Sequence, residues 1–255
     1  MSYLTTVQAD NPLHYWRMAD PGGKWANDIG SAPLGMVARA NFDILGFTGP
    51  NVDGGSAIFT NSAVCWQVDH RTVAVPITIE AVFFQHNIDA RLQAVFTTEI
   101  NGVSAGLGMG LDATGKPYVS NSGSLLTAAA APTFNAWHHL CATHDGSTRT
   151  LYVDGVQVAA GANALASYVG SFSAGGTPPA ATQFAEIFGA EFAVYTVALT
   201  GARVAAHSAA LDNRASKPVY KPFGNFNGGT GISTFSATQI SDILAAVQKT
   251  FPRTS

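Results

Sequence analysis

WHHLCATHDGSTRTLYVDGVQV, residues 137–158, decides how the rest of the chain is read. A tryptophan, two adjacent histidines, a third histidine beside Asp145 and then Asp154-Gly155 pose a choice between a reactive site and a run of hairpins. Backbone geometry favours the hairpins. Residues 136–144 alternate between two faces, Asp145 to Thr148 turns the chain, and 149–153 return. Asp154-Gly155 then forms a two-residue turn that needs positive φ at both positions, which Asp and Gly tolerate best. His138 and His144 share a face, but six strand residues at about 3.3 Å each hold them roughly 20 Å apart, too far to share a metal. His139 points the other way. A zinc site would need further ligands from elsewhere, and no Cys or His supplies them at a recognisable spacing. The stretch predicts a three-stranded meander with structural histidines.

Composition agrees. The chain has 255 residues, 26 of them Gly, with 11% charged residues and a net charge of −3. That length suits one all-β domain with a core large enough to need no staples. The charge balance excludes the basic footprint of a nucleic-acid binder. The longest apolar tracts fall well short of the roughly 20 residues that cross a bilayer. The opening MSYLTTVQADNPLHYW shows no basic start followed by an apolar run, so neither a signal peptide nor membrane insertion is expected. Cys65 and Cys141 lie in apolar strand-like runs, where a buried free thiol competes with a disulfide.

Short runs bounded by turn formers predict strands at 13–18, 56–60, 77–85, 93–100, 105–112, 136–144, 150–154, 156–161 and 190–199. Many are apolar on both faces, as in stacked sheets. A helix is predicted within 199–211 with Thr200 as N-cap. A second, about 236–250, starts at a capping-box pattern of Ser236 and Gln239, aligns Ile240, Ile243, Leu244 and Val247 on one face, and ends before Pro252. The Pro/Gly-rich stretch between them reads as a linker. The organisation is therefore a β domain at 1–211 and an appendage at 212–255. The apolar stripe of that appendage would anchor or oligomerise the protein against its own sandwich, a sister subunit or another protein.

Three pieces in order carry a resemblance: the hairpins 137–146 and 151–155, the opening ADNPLHYWRMAD (9–20) with its aromatic pair, Arg17 and Asp20, and FAVYTVALTGARVAAH (192–207) with Tyr195, a Leu-Thr step and His207. Together they resemble the laminin-G-like, concanavalin A-like lectin jelly roll over residues 3–211. The resemblance implies an all-β, two-sheet antiparallel jelly-roll sandwich with its first and last strands adjacent. The opening VQADNPLHYWRM is similar to those of bacteriophage structural proteins that carry this domain on tails, fibres or heads. It implies a non-enzymatic virion protein, assembled in the host cytoplasm, that displays a lectin-like domain for host-surface adhesion or virion decoration. Its partners would be other virion proteins, a host-surface glycan and further copies of itself. The alternative is a carbohydrate-binding module of a bacterial or secreted protein.

The site candidates follow. A retaining glycosidase needs two carboxyl groups about 5–5.5 Å apart. Glu186 and Glu191 fall on opposite strand faces, and Glu80 and Glu99 stand isolated in their strands, so no enzyme is expected. For calcium, the resemblance points to Asp28 and to an acid in the closing strand, where Ala190 stands with Glu191 beside it. That departure leaves Asp28 a weak ligand, and no cofactor is expected otherwise. For sugar binding, an aromatic platform beside polar turn residues is wanted. Trp25 with Asn27 and Asp28 is one candidate, with packing over the sandwich edge as the competing role for Trp25. The loop residues His86, Asn87 and Asp89 are the other. Trp16, Trp66 and Trp137 sit in strand runs and read as core.

Overall fold

A computed structural model describes residues 1–20, 25–38, 47–51, 56–60, 66–85, 90–99, 106–177, 183–211, 214 and 216–218. The chain divides into two compact units, Met1–Lys221 and Pro222–Ser255. The second unit, with Ile240, Ile243, Leu244 and Val247, lies outside the described residues. Past Leu211 the first unit is tied down through Arg214, whose carbonyl accepts from Trp137 N at 2.9 Å.

The order is α1 (Tyr3–Gln8), β1 (His14–Trp16), β2 (Trp25–Ala26), β3 (Met36–Ala38), β4 (Phe47–Thr48), β5 (Ser56–Thr60), β6 (Trp66–Val73), β7 (Ile77–Gln85) and β8 (Gln93–Glu99). It continues with β9 (Leu107–Leu111), β10 (Pro117–Asn121), β11 (Ser124–Thr127), β12 (Trp137–His144), β13 (Thr148–Val153), β14 (Val156–Ala162), β15 (Tyr168–Ala174), β16 (Ile187–Tyr195) and α2 (Gly201–Ala209). Sheet A runs β14-β13-β12-β7-β16-β5-β4, with β1 also paired to β16; sheet B runs β11-β10-β9-β8-β15-β6-β3-β2. Every strand pair is antiparallel. The expected adjacency of first and last strands is met by His14 opposite Val194.

The meander forms as its sequence dictates. Asp154 and Gly155 both take positive φ, 52° and 81°, so the twist of the turn matches that of β13 and β14. Thr200 caps α2 by accepting from Arg203 N. Two predictions shift. The closing strand starts at Ile187 rather than 190, and Glu191 sits at positive φ in a bulge between Ala190 and Ala193. That extra residue lets Phe192 and Val194 reach the core beyond Ile187. Helix α1 and strands β2, β3, β4, β6, β10, β11 and β15 were not foreseen; sequences such as YVGSFSA are too Ser/Gly-rich to announce a strand.

Between the sheets lies one apolar core, built on Trp16, Phe83, Phe96, Phe172 and Phe192 with Leu140, Met109 and Ile79. Trp137 packs on the other face of sheet A against Phe84, which in turn meets Phe188. Helices α1 and α2 also cover that face, so the central strands β7, β12 and β16 are buried on both sides. Among the described residues, no helix is long and apolar enough to cross a membrane. Cys141 is a buried free thiol; Cys65 lies outside the described residues.

Candidate functional site

Three places concentrate chemistry, and the first is the β2 edge of sheet B. Asp28 organises it. One carboxylate oxygen accepts from Tyr15 N and Gly30 N, each at 2.7 Å; the other takes His14 Nδ1 at 2.7 Å and Leu34 N at 2.8 Å. Four donors fill its lone-pair positions, so the carboxyl that stood as a calcium candidate is buried and committed to the turn. Asn27 is exposed and donates through both its N–H and its side-chain amide to Asp20. On the turn so fixed, Trp25 is 54% exposed. A Cβ at Gly35 would stand 2.2 Å from ring carbons Cε2 and Cζ2, so the indole packs directly against that glycine while much of the residue stays in solvent. The packing role weighed for Trp25 is met at Gly35, and the rest of the side chain stays exposed. Val37 pairs with Trp25 and is 39% exposed, which extends the apolar platform.

The second place lies farther along the same sheet. Strand β9 alternates Leu107, Met109 and Leu111 into the core with glycines at 108 and 110. On the outer side Gly108 stands between Thr97 of β8 and Ser120 of β10, and Ser120 pairs with Leu125 of β11. A side chain at Gly108 would meet Ser120 Oγ at 2.7 Å, and one at Gly110 would meet the Tyr118 hydroxyl at 2.9 Å. Neighbouring side chains thus lean over a glycine floor. The result is a cleft of about 260 Å³ lined by Thr97, Gly108, Tyr118, Ser120, Leu125 and Gln183, among others. Sequence reasoning missed it, although the period-two glycines of AGLGMGLD (105–112) are its signal.

The third is a buried polar cluster under α1 and α2, on the outer face of sheet A. Glu80, which looks isolated along its strand, is its centre. Tyr195 and Tyr3 donate to Oε1 at 2.9 and 3.4 Å; His207 Nδ1 and His139 Nε2 lie 2.8 and 3.4 Å from Oε2. His207 Nε2 is 2.8 Å from Asp10, which also pairs with Arg203. Burial pushes the Glu80 carboxyl up, but the charge of His207 and hydrogen bonds from His139 and His207 prevail and hold it well below the usual carboxylate range. Burial opposes charge on His207 in turn, yet Glu80 first and Asp10 second raise it. Glu80, His139 and His207 do offer three metal-ligand atoms within 4.8 Å of one another, a grouping that the spacing of the histidines concealed. However, 2.8 Å between His207 and Glu80 is a charge-assisted hydrogen bond, shorter than the about 3.3 Å that separates two ligands on one tetrahedral ion with bonds of about 2.0 Å. The geometry holds a proton, and the cluster clasps both helices to the sheet.

Beside it, Glu191 is fully buried against Arg17 at 2.9 Å, Tyr15 at 2.5 Å and Asn51 at 2.9 Å. Its carboxyl is raised, because burial outweighs the pull of Arg17, Tyr15 and Asn51. The remaining histidines of the opening stretch are structural, as expected. His138 bridges Asp154 at 2.7 Å and the Thr133 carbonyl at 2.8 Å, and His144 accepts from Gly146 N at 3.0 Å. Burial would raise Asp154, but His138, the His139 N–H and Arg214 bring it to about 2. His86, Asn87 and Asp89 lie outside the described residues.

A family model described as the concanavalin A-like lectin/glucanases superfamily matches residues 59–205. No curated protein matches the chain in sequence. Among solved structures, domain 4 of AbnA, an extracellular arabinanase from Geobacillus stearothermophilus, in complex with arabinotriose, is similar with a TM-score of 0.61 and 14% identity. The match covers 78% of this chain and 98% of that one. The Trypanosoma rangeli sialidase in complex with sialic acid gives 0.56 and 12%, covering 76% of this chain but only 32% of the sialidase. The botulinum neurotoxin serotype C1 binding domain gives 0.57 and 10%, covering 80% and 53%. At such identities the likeness is one of fold.

Proposed function

Because the chain belongs to the concanavalin A-like lectin/glucanases superfamily, we propose that it is a non-enzymatic, lectin-like domain that holds a saccharide on the outer face of sheet B. The observation that carries this reading is Trp25, an exposed indole packed against Gly35 at a turn fixed by Asp28. Such a platform suits the apolar face of a sugar ring, with polar turn atoms beside it. Two of the similar structures were determined with a saccharide bound. Against catalysis stand the acids themselves: Glu80 and Glu191 are sealed in the sheet A clusters and committed to partners there.

The biological setting we propose is a bacteriophage virion, on the resemblance of residues 7–18 to phage structural proteins, with host-surface adhesion or decoration as the task. Copies of the chain and other virion proteins would be its partners. A second reading has its own support. The fold spans 98% of one domain of an extracellular arabinanase, which favours a carbohydrate-binding module of a bacterial or secreted protein.

Titration of the whole chain against immobilised and free oligosaccharides tests the shared claim, with Trp25→Ala as the control. Expected is saccharide binding that drops about tenfold in the variant, the weight of one well-placed aromatic anchor. No binding to any glycan sinks the reading. Light scattering separates the settings: a defined oligomer favours the virion, a saccharide-binding monomer the module.

A further inference from the structure

The β2 platform and the glycine-floored cleft belong to one line. The pairing runs from Trp25 to Val37, Gln67, Ser173, Thr97, Gly108, Ser120 and Leu125, one residue per strand across all eight strands of sheet B. Trp25 and Gly108 are five strand spacings apart, roughly 24 Å at about 4.8 Å each. Two hydroxyls in the middle of the line are unusual. Thr97 is 4% exposed and Ser173 is fully buried, and among the described residues neither side-chain oxygen has a hydrogen-bond partner. A buried hydroxyl left unsatisfied costs about 1–3 kcal/mol, and native structures rarely retain one without a reason. Thr97 lines the cleft.

We propose that the cleft over Gly108 is a binding site for an uncharged saccharide, with Thr97 and Ser120 as its hydroxyl partners. This rests on the glycan-binding reading and names the ligand class. A sugar ring supplies what the cleft lacks, since each hydroxyl both donates and accepts and can pair with the Thr97 oxygen. The ring faces are apolar enough to lie against Leu125 and the Tyr118 edge. The cleft volume of about 260 Å³ sits just below the ~300–1,000 Å³ of drug-sized sites, which suits one ring end-on rather than a whole chain. The neutrality follows from the lining. None of the described residues that line the cleft carries a charge, and a carboxylate or phosphate buried there would lose its hydration with no cation in the lining in return. Sialylated and uronic-acid glycans are therefore excluded, although one of the similar structures holds sialic acid.

The test is a glycan array carrying neutral and acidic oligosaccharides, followed by calorimetric titration of the strongest neutral binder. Sialyllactose serves as the charged probe. It uses the whole chain and the variants Thr97→Val, Gly108→Ala and Trp25→Ala. Thr97→Val keeps the shape and removes a hydroxyl that has no partner among the described residues, so its melting temperature should hold or rise while affinity falls at least tenfold. Gly108→Ala puts a methyl group on the cleft floor and should weaken binding further. Neutral glycans should bind and sialyllactose should not. If neutral binding survives Thr97→Val and Gly108→Ala but fails in Trp25→Ala, the cleft proposal is wrong and the glycan-binding reading stands. Binding of sialyllactose that is lost in Thr97→Val overturns the neutrality. An array blank for every glycan removes both.

Discussion

Replacing Glu80 by Gln isolates what the buried cluster contributes. The substitution keeps the volume and one acceptor oxygen while removing the charge that faces His207 at 2.8 Å. Breaking a buried ion pair by deleting one member costs about 3–5 kcal/mol. Asp10 still holds the other ring nitrogen, which places the loss at the low end, about 3 kcal/mol, or a fall in Tm of about 6–12 °C for a domain of this size. The pH dependence is the sharper readout. Glu80 is held below its ordinary 4.5, so its contribution is in force above 4.5 and fades as pH falls below that toward its lowered folded value. His207 is raised above its ordinary 6.5, so its contribution is complete below 6.5 and fades as pH rises through the raised value. Both act together between 4.5 and 6.5. The difference in unfolding free energy between wild type and Glu80→Gln should therefore peak near pH 5–6 and narrow by pH 9. Urea unfolding followed by circular dichroism across that range measures it, and NMR titration of the His207 ring should show its pKa falling in the variant. A difference below about 1 kcal/mol, or one flat from pH 5 to 9, would refute the account of a proton-holding clasp.

Other perturbations probe the remaining parts. Asp28→Ala strands the N–H groups of Tyr15, Gly30 and Leu34; a loss of about 2–4 kcal/mol is expected, together with a changed Trp25 fluorescence signal, and an unaltered denaturation midpoint would contradict it. Gly155→Ala meets two obstacles, a φ of +81° and contacts at 2.9 Å with Ala205 and Ser208 of α2. It should cost more than about 1 kcal/mol and speed hydrogen exchange in α2 before it affects β9. Arg17→Met leaves Glu191 buried without its cation, with an expected loss of about 3–5 kcal/mol. Because the Glu191 carboxyl is already raised, it should take up a proton as pH falls, so the penalty measured by urea unfolding should be smaller at pH 5 than at pH 8.

Local geometry was legible in the sequence and long-range assembly was not. The Asp154-Gly155 turn, the three-strand meander and the Thr200 cap each depend on residues within a few positions of one another, so spacing and turn chemistry sufficed. The β domain and its closing strand followed from three motifs in order. Glu80 and His207 are 127 positions apart, and their meeting depends on where α2 lands after crossing sheet A; strand periodicity carries no information on that. Helix α1 is too short to show a hydrophobic period. For the candidate site, Trp25 was visible because its neighbours are turn formers. The line through Gly108 was hidden because its register passes through β6 and β15, whose Ser, Gly and polar content disguised them as loops.

The alternation within β9 has an evolutionary consequence. Its odd positions, Leu107, Met109 and Leu111, are fixed by the packing of the two sheets, whereas its even positions face outward and touch none of that core. The strands flanking it share this arrangement, so two messages are interleaved in one stretch of chain. A lineage can rewrite the outward message, filling the floor at Gly108 or exchanging Thr97 and Ser120, while the inward one keeps the sandwich folded. Change of the outer surface and maintenance of the fold are then nearly independent, and variants of this domain should diverge fastest at the outward residues of β8, β9 and β10.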